Sequence, residues 1–325
     1  MVASGSSAEE RPLADILRLT GGPVVGDPPE TAASVQLARG IALVQVHRYA
    51  EAVMLAEAAI DSARRVPGDD PEFVAELVDG LHTFSRLAAA SGSREEALRV
   101  MKEAVALAEP LPEPDETLPR ALNQLGLLLL ECGRAEEGRA ATERSVAIRR
   151  QAAEADPAAL PGLATSLYNL NHHLTTAGLH AEALASIEEA VEIARLLADR
   201  EPDTYLADLA SALHNLSMTL RETGQIDRAI CTVEEAIEIY HRLADRDPAH
   251  YLPELAESLE VMCHQVAGTG QYRAAAALAD RCAQAYRAGG NPGAALGMRV
   301  HKVRYRLRGL TRRGSGPEHD SDRHS

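Results

Sequence analysis

The sequence predicts an all-α solenoid of six helix–turn–helix repeats with a C-terminal capping helix, and three observations carry that expectation. The chain repeats itself: Gly92, Gly133, Gly178, Gly224 and Gly270 each separate a pair of apolar-periodic stretches, at spacings of 41, 45, 46 and 46 residues. A period of roughly 20–50 residues marks a stacked array. The stretches on both sides have helical spacing: in the fourth unit Leu163, Leu167, Leu170 and Leu174 precede the glycine, and Leu184, Ile187, Val191 and Ala194 follow it. The composition agrees. Of 325 residues, 58 are Ala and 41 Leu, with no Trp and two Phe. Ala and Leu are among the best helix formers, and a sandwich or barrel would need more aromatic and β-branched residues.

Taken in order, the units open near Ser34, Asp79, Leu118, Leu163, Ala210 and Ser258. Counting 45 residues back from Gly92 places His47, in the phrase HRYAEAV, at the first turn. Glycine closes each first helix because a left-handed residue costs least without a Cβ. Pro157, Pro202 and Pro248 each lie 24 residues beyond a turn glycine and mark where second helices stop. Five residues after the turn stand Ala52, Ala97, Gly138, Ala183, Ala229 and Ala275. Seven further on stand Ala59, Ala104, Ser145, Ala190, Ala236 and Cys282. Two columns of small residues on one helix predict close packing of another helix against it. On the first helix the column Gln36, Leu81, Leu122, Leu167, Leu213, Leu259 is apolar in five of six units. The first unit is the weakest, with Arg39 where the others have Phe84, Leu125, Leu170, Leu216 and Met262.

With Leu125-Gly126 on a first helix and Ala183, Ile187 and Ala190 on a second, the array resembles the tetratricopeptide repeat family over about residues 34–290. It departs from that family in its longer period, its mostly aliphatic columns and its late proline. The phrase IEEAVEIARLLADREPDTYLADLASALHNL is similar to the long-period variety of actinobacterial regulatory proteins and of kinesin light chains. The resemblance implies a right-handed superhelix whose first helices line a concave groove that binds a segment of a partner protein. Helical phase then assigns the groove residues. They are Asp79, His82 and Arg86; Arg120, Asn123 and Glu131; Thr165, Tyr168, His172 and Thr176; His214, Met218, Arg221 and Glu222; and Glu257, Glu260 and His264. Fixed donors and acceptors of both signs suit a peptide backbone and its charges, with Tyr168 and Met218 as apolar contacts.

Residues 1–33 read as a lead-in with one short amphipathic piece, Leu13, Ile16 and Leu17, followed by a Gly/Pro-rich loop without a phosphate-binding fingerprint. Residues 291–311 read as a basic capping helix. Its stripe Leu296, Val300, Val303, Leu307, Leu310 is expected to face the last repeat, with Lys302, Arg304, Arg306 and Arg308 outward. Residues 312–325 read as a disordered tail.

The formal net charge of −15 excludes a general nucleic-acid binder, leaving only the basic 299–313 helix as a candidate contact for nucleic acid, anionic lipid or an acidic partner. The polar N-terminus is no signal peptide and no stretch approaches a membrane span, so a cytoplasmic protein is expected. Cys132, Cys231, Cys263 and Cys282 form no metal-binding or redox spacing and read as reduced thiols. No catalytic triad, Walker lysine or HExxH is present, and no cofactor or metal is expected. The expected role is a non-catalytic adaptor or regulator that binds a protein or peptide segment. The alternatives are a metal- or small-molecule-binding enzyme using His172, His214 and His264 with nearby carboxylates, or a sensor module of a larger signalling system.

Overall fold

A computed structural model describes residues 28–66, 70–111 and 116–314. The short helix expected in residues 1–33 and the tail beyond 314 lie outside the described residues. The described residues form thirteen α-helices and no strand. They are α1 (Pro29–Gln45), α2 (Tyr49–Ala63), α3 (Pro71–Ala90), α4 (Arg94–Ala108), α5 (Thr117–Glu131), α6 (Ala135–Ala155), α7 (Leu160–Thr176), α8 (His180–Arg200), α9 (Pro202–Glu222), α10 (Ile226–Ala244), α11 (Pro248–Gly268), α12 (Tyr272–Ala288) and α13 (Pro292–Gly314). A single 3₁₀ turn, Pro157–Ala159, precedes α7. Two compact units result. Met1–Ala177 holds α1 to α7, and Gly178–Ser325 holds α8 to α13. Within each unit, helices consecutive in sequence pack on one another.

The turns explain why the repeat is legible. Gly92, Gly133, Gly178, Gly224 and Gly270 all adopt positive φ, between 74° and 95°. At Gly133 the backbone N–H bonds to the carbonyl of Leu130 at 3.0 Å, and that of Arg134 to Leu129 at 2.8 Å. This is a Schellman closure, which satisfies the last carbonyls of the helix. Gly224 with Gln225 repeats the pattern on Arg221 and Leu220. His47 is the one non-glycine residue at positive φ among those described, at 61°, with the same bonds to Val44 and Leu43. The prolines do more than stop second helices: Pro71, Pro202 and Pro248 occupy the first turn of the next helix, where a missing N–H is harmless. The acid before them often caps that helix. Asp70 Oδ1 accepts from the N–H groups of Glu72 and Phe73, and Asp247 Oδ1 from that of His250.

The small columns lie where helices meet. Ala52, Ala97, Ala104, Ala183, Ala190, Ala229, Ala236 and Ala275 are all buried, as are Leu81, Leu122, Leu167, Leu213 and Leu259 opposite them in the repeat. A third column emerges only from the structure: Gly40, Ser85, Gly126, Asn171, Ser217 and Cys263 on successive first helices, every one buried. A Cβ at Gly126 would lie 2.9 Å from the carbonyl oxygen of Gly138 across the α5–α6 crossing. One at Gly40 would lie 3.1 Å from that of Ala52 across α1–α2. In the second unit the buried thiols sit at the same kind of crossing, Cys263 Sγ 3.2 Å from the carbonyl of Ala275 and Cys282 Sγ 3.3 Å from that of Ala256. Burial pushes the two thiols up to about 11 and about 12, so neither is a nucleophile at neutral pH.

The C-terminal helix corrects the expectation. The aliphatic stripe of α13 faces solvent, and the opposite face packs on α12. Ala295, Met298 and Tyr305 are buried, Lys302 bonds Asp280 at 2.6 Å, and Gly309 lets the helix approach Tyr272, whose Cβ would lie 3.5 Å from a Cβ placed there. Tyr305 and Gly309 each lie 46 residues beyond Leu259 and Cys263. The helix is therefore seated as the first helix of a seventh unit, and that register selects Tyr305 and Gly309 as the packed side.

Three substitutions separate these effects. Gly133→Ala is expected to cost about 1–2 kcal/mol from backbone strain alone, since nothing lies within 4 Å of the added methyl. Gly126→Ala is expected to cost about 3 kcal/mol, because the methyl meets backbone and the helices must move apart. His47→Gly is expected to gain up to about 1 kcal/mol. Urea denaturation midpoints check all three, and a cost for Gly126→Ala no larger than for Gly133→Ala contradicts close approach at α5–α6.

Candidate functional site

In the first unit, α3, α5 and α7 each turn a polar stripe away from the buried columns. Asp79 on α3 and Arg120 on α5 form an ion pair at 2.8 Å. His82 is half-buried, Arg86 exposed, and burial pulls the His82 imidazole below its usual range despite a hydrogen bond to Gln124. Tyr168 and His172 on α7 are exposed, as are Thr165 and Thr176, whose hydroxyls donate to the carbonyls of Pro161 and His172. Glu131 lies at the end of α5, bonded to Arg94 at 3.2 Å. Asn123 is a correction. It is buried, and its Nδ2 donates to Ser166 Oγ at 2.9 Å.

In the second unit, Met218 is exposed on α9 and Arg221 pairs with the adjacent Glu222 at 2.6 Å. His214 Nδ1 lies 2.9 Å from Ser258 Oγ, while His264 packs on His301 of α13, ring centroids 5.1 Å apart. Burial lowers both His214 and His264, which favours the neutral form of each, with Glu260 opposing the shift at His264. Glu260 accepts a 2.6 Å hydrogen bond from the Tyr286 hydroxyl. Burial and the neighbouring Glu254 and Glu260 push the Glu257 carboxyl up. His214 and His264 thus have separate partners, and among the described residues no group of three His, Cys, Asp or Glu is placed to hold a metal ion.

Asn123 belongs to a cluster that sequence reading missed. Arg149 of α6 is 5 % exposed. Its Nε and Nη2 donate to Glu116 Oε2 at 2.9 and 2.6 Å, and its Nη1 donates to the Gly162 carbonyl and to Ser166 Oγ, both at 2.9 Å. Ser145 donates to the Pro119 carbonyl at 2.7 Å and lies 2.9 Å from Ser166. Burial lowers the Arg149 guanidinium, opposed by Glu116, yet an arginine stays charged. A cleft of about 700 Å³ opens beside it, lined by Glu116, Ile148, Arg149, Ala152, Asp156 and Gly162. The available signal was Ser145 in a column otherwise made mostly of alanine.

His173 is a second feature that the repeat pattern does not announce. It is 2 % exposed on α7, neither ring nitrogen has a hydrogen-bond partner, and its Nε2 would lie 3.3 Å from a Cβ on Gly126. Burial, with His172 beside it, lowers its pKa to about 4.

The fold and this polar helix face define the class, an α-helical repeat protein. Residues 209–250 match the family described as tetratricopeptide repeat, and the turn glycines of the array recur at spacings of 41 to 46 residues. Three of the solved structures to which it is similar span most of its length. BtubC (BKLC) from P. vanneervenii is 21 % identical, covers 84 % of this chain and 94 % of its own, and has a TM-score of 0.53. A variant of a putative kinesin light chain with nearly identical TPR-like repeats from Podosopora anserina is 20 % identical, with 66 % and 95 % covered and a TM-score of 0.54. The apo form of RapI is 11 % identical, with 94 % and 77 % covered and a TM-score of 0.66. At these identities the likeness is one of fold. No curated protein sequence matches the chain.

The two buried features make separate predictions. Arg149→Ala is expected to cost about 3 kcal/mol, since it takes the guanidinium from Glu116 and the Gly162 carbonyl and leaves Ser166 with Asn123 and Ser145 alone. Removing the more exposed Arg144, paired with Glu109, is expected to cost under about 1 kcal/mol. Equal losses in chemical denaturation would contradict a buried network. For His173, the unfolded chain takes up a proton near pH 6.5 that the folded chain refuses until about pH 4. Stability is therefore full above pH 6.5 and falls by up to about 1.4 kcal/mol per pH unit through that window. His173→Leu is expected to flatten that slope, and an unchanged slope in denaturation between pH 6.5 and 4.5 refutes the assignment.

Proposed function

We propose that the chain is a non-catalytic interaction module, acting as an adaptor or regulator, that captures a partner segment on the polar face of its first helices. The supporting observation is the division of labour on those helices. One side is consumed by the leucine and small-residue columns, while the other presents Asp79, His82, Arg86 and Arg120 with Tyr168 and His172 in the first unit. In the second unit it presents His214, Met218, Arg221, Glu222, Glu260 and His264. Such a surface offers hydrogen bonds of both signs with single apolar contacts, which suits an extended or helical peptide. Residues 34–290 are read as the array that carries it. No described helix is long and apolar enough to cross a membrane, in keeping with a cytoplasmic site of action.

The test is partner capture by the purified chain against the quadruple variant Arg120→Ala, Tyr168→Ala, His172→Ala and Arg221→Ala. These four side chains are exposed or half-buried, so folding by circular dichroism is expected to be unchanged while captured partner falls at least about tenfold. Unchanged capture by the folded variant sinks the reading.

A further inference from the structure

The outer face of α13 is a separate surface. Leu296, Val300, Val303, Leu307 and Leu310 are each 57–64 % exposed. Other exposed large apolar residues of the described chain, such as Met54 and Leu196, are scattered singly, which is ordinary for a protein surface. Five in one line are not. Their spacing of 4, 3, 4 and 3 residues is that of the a and d positions of a coiled-coil seam, on a helix whose opposite side is already fixed to α12 by Met298, Lys302 and Tyr305.

The flanks specify what covers the seam. In heptad register Arg299 and Arg306 stand on one side of it and Arg304 on the other, and α13 carries seven Lys or Arg and no Asp or Glu. Elsewhere the array matches neighbouring repeats by arginine–carboxylate pairs. Arg99–Glu57 at 2.9 Å joins α4 to α2, Arg120–Asp79 at 2.8 Å joins α5 to α3, and Arg228–Glu188 at 2.8 Å joins α10 to α8. The outer face of α13 carries the cationic half of such a junction. A second copy of α13 does not fit, because in either orientation its arginine rims would meet these. The eleven residues after Gly314 include no Val, Ile, Leu, Met, Phe, Tyr or Trp, so their composition does not complement an aliphatic seam. An anionic membrane fits less well than a helix. The seam is narrow and without aromatic residues, unlike an interfacial helix, and the whole chain carries a net charge of −15.

We propose that the outer face of α13 is a docking site for an acidic amphipathic helix of a partner protein, which adds to the second unit as the next helix of its array. The seam supplies affinity, and Arg299, Arg304 and Arg306 select carboxylates at the flanking positions of the incoming helix. This site is distinct from the polar face proposed above, and neither depends on the other.

The probe is a synthetic helical peptide with leucine at a and d and glutamate at e and g, compared with a peptide of the same seam carrying lysine at e and g. Fluorescence anisotropy with the full chain is expected to show the acidic peptide bound about tenfold or more tightly than the basic one. Val303→Glu with Leu307→Glu is expected to abolish binding with the thermal midpoint unchanged, since both side chains are exposed. Arg299→Glu with Arg306→Glu is expected to reverse the preference. Equal binding of the two peptides, binding of neither, or binding that survives the seam variant overturns the proposal. So does a chain that pairs with itself through this seam in sedimentation equilibrium. Binding to phosphatidylserine vesicles or duplex DNA with no peptide preference overturns it in favour of those ligands.

Discussion

The constraint on which the structure depends is the distance to which two helix backbones can approach. At Gly126 and Gly138, and again at Gly40 and Ala52, no room exists for an added methyl on the first helix without moving a carbonyl of the second. Packing this close brings many backbone and Cβ atoms into contact, so dispersion and burial are gathered from alanines rather than from large side chains. That is why the chain forms a sizeable core without tryptophan. It also explains the turn, because helices held so near must reverse direction within a few residues. A Schellman closure on a left-handed residue does so while satisfying the carbonyls that the helix end leaves open. His47 shows the demand is geometric, since the first turn keeps the same hydrogen bonds with a residue for which that φ is unfavourable.

Much of this was legible because the repeat lets one unit check another. The glycine turns, the alanine columns and the leucine column are found where the spacing put them. The openings shift toward the N-terminus, with α3 beginning at Pro71, α9 at Pro202 and α11 at Pro248, because a proline starts each of these helices. What the columns concealed was polar substitution within them. Ser145 and Ser166 occupy positions that are small in most other units, and a hydroxyl is buried there without penalty only if something answers it. Arg149 does, and Asn123 is drawn inward to the same cluster. Helical phase alone set Asn123 on the surface, because phase ranks directions around a helix and carries no information about which polar side chain has a buried partner.

The C-terminal helix shows the same limit more sharply. Its periodicity is strong, and the inference that a strong apolar stripe is the buried one is sound for an isolated amphipathic helix. In α13 the packed side is chosen instead by register with the repeat, through Tyr305 and Gly309, and each of these has a counterpart 46 residues earlier. A helix with a packing face of mixed size and a stripe of large aliphatics has two apolar directions, and a single period does not say which is consumed internally.

The distribution of charge follows from the same architecture and gives the two proposed surfaces different characters. Within each unit arginines are engaged locally, on carboxylates of their own helix or of the neighbouring repeat, so the acidic excess resides in groups left over from those pairs. Exposed pairs of this kind contribute little to stability but penalise wrong neighbours, since a shifted register sets like charges together. The first-helix faces keep both signs in reach of one another and present few large apolar groups, so binding there depends on matched polar contacts and is weakened by salt. On α13 the cations surround an aliphatic seam, where burial supplies affinity and salt acts mainly on selectivity. Two partners read through such unlike surfaces respond differently to ionic strength, and that difference follows from the helices' own side chains.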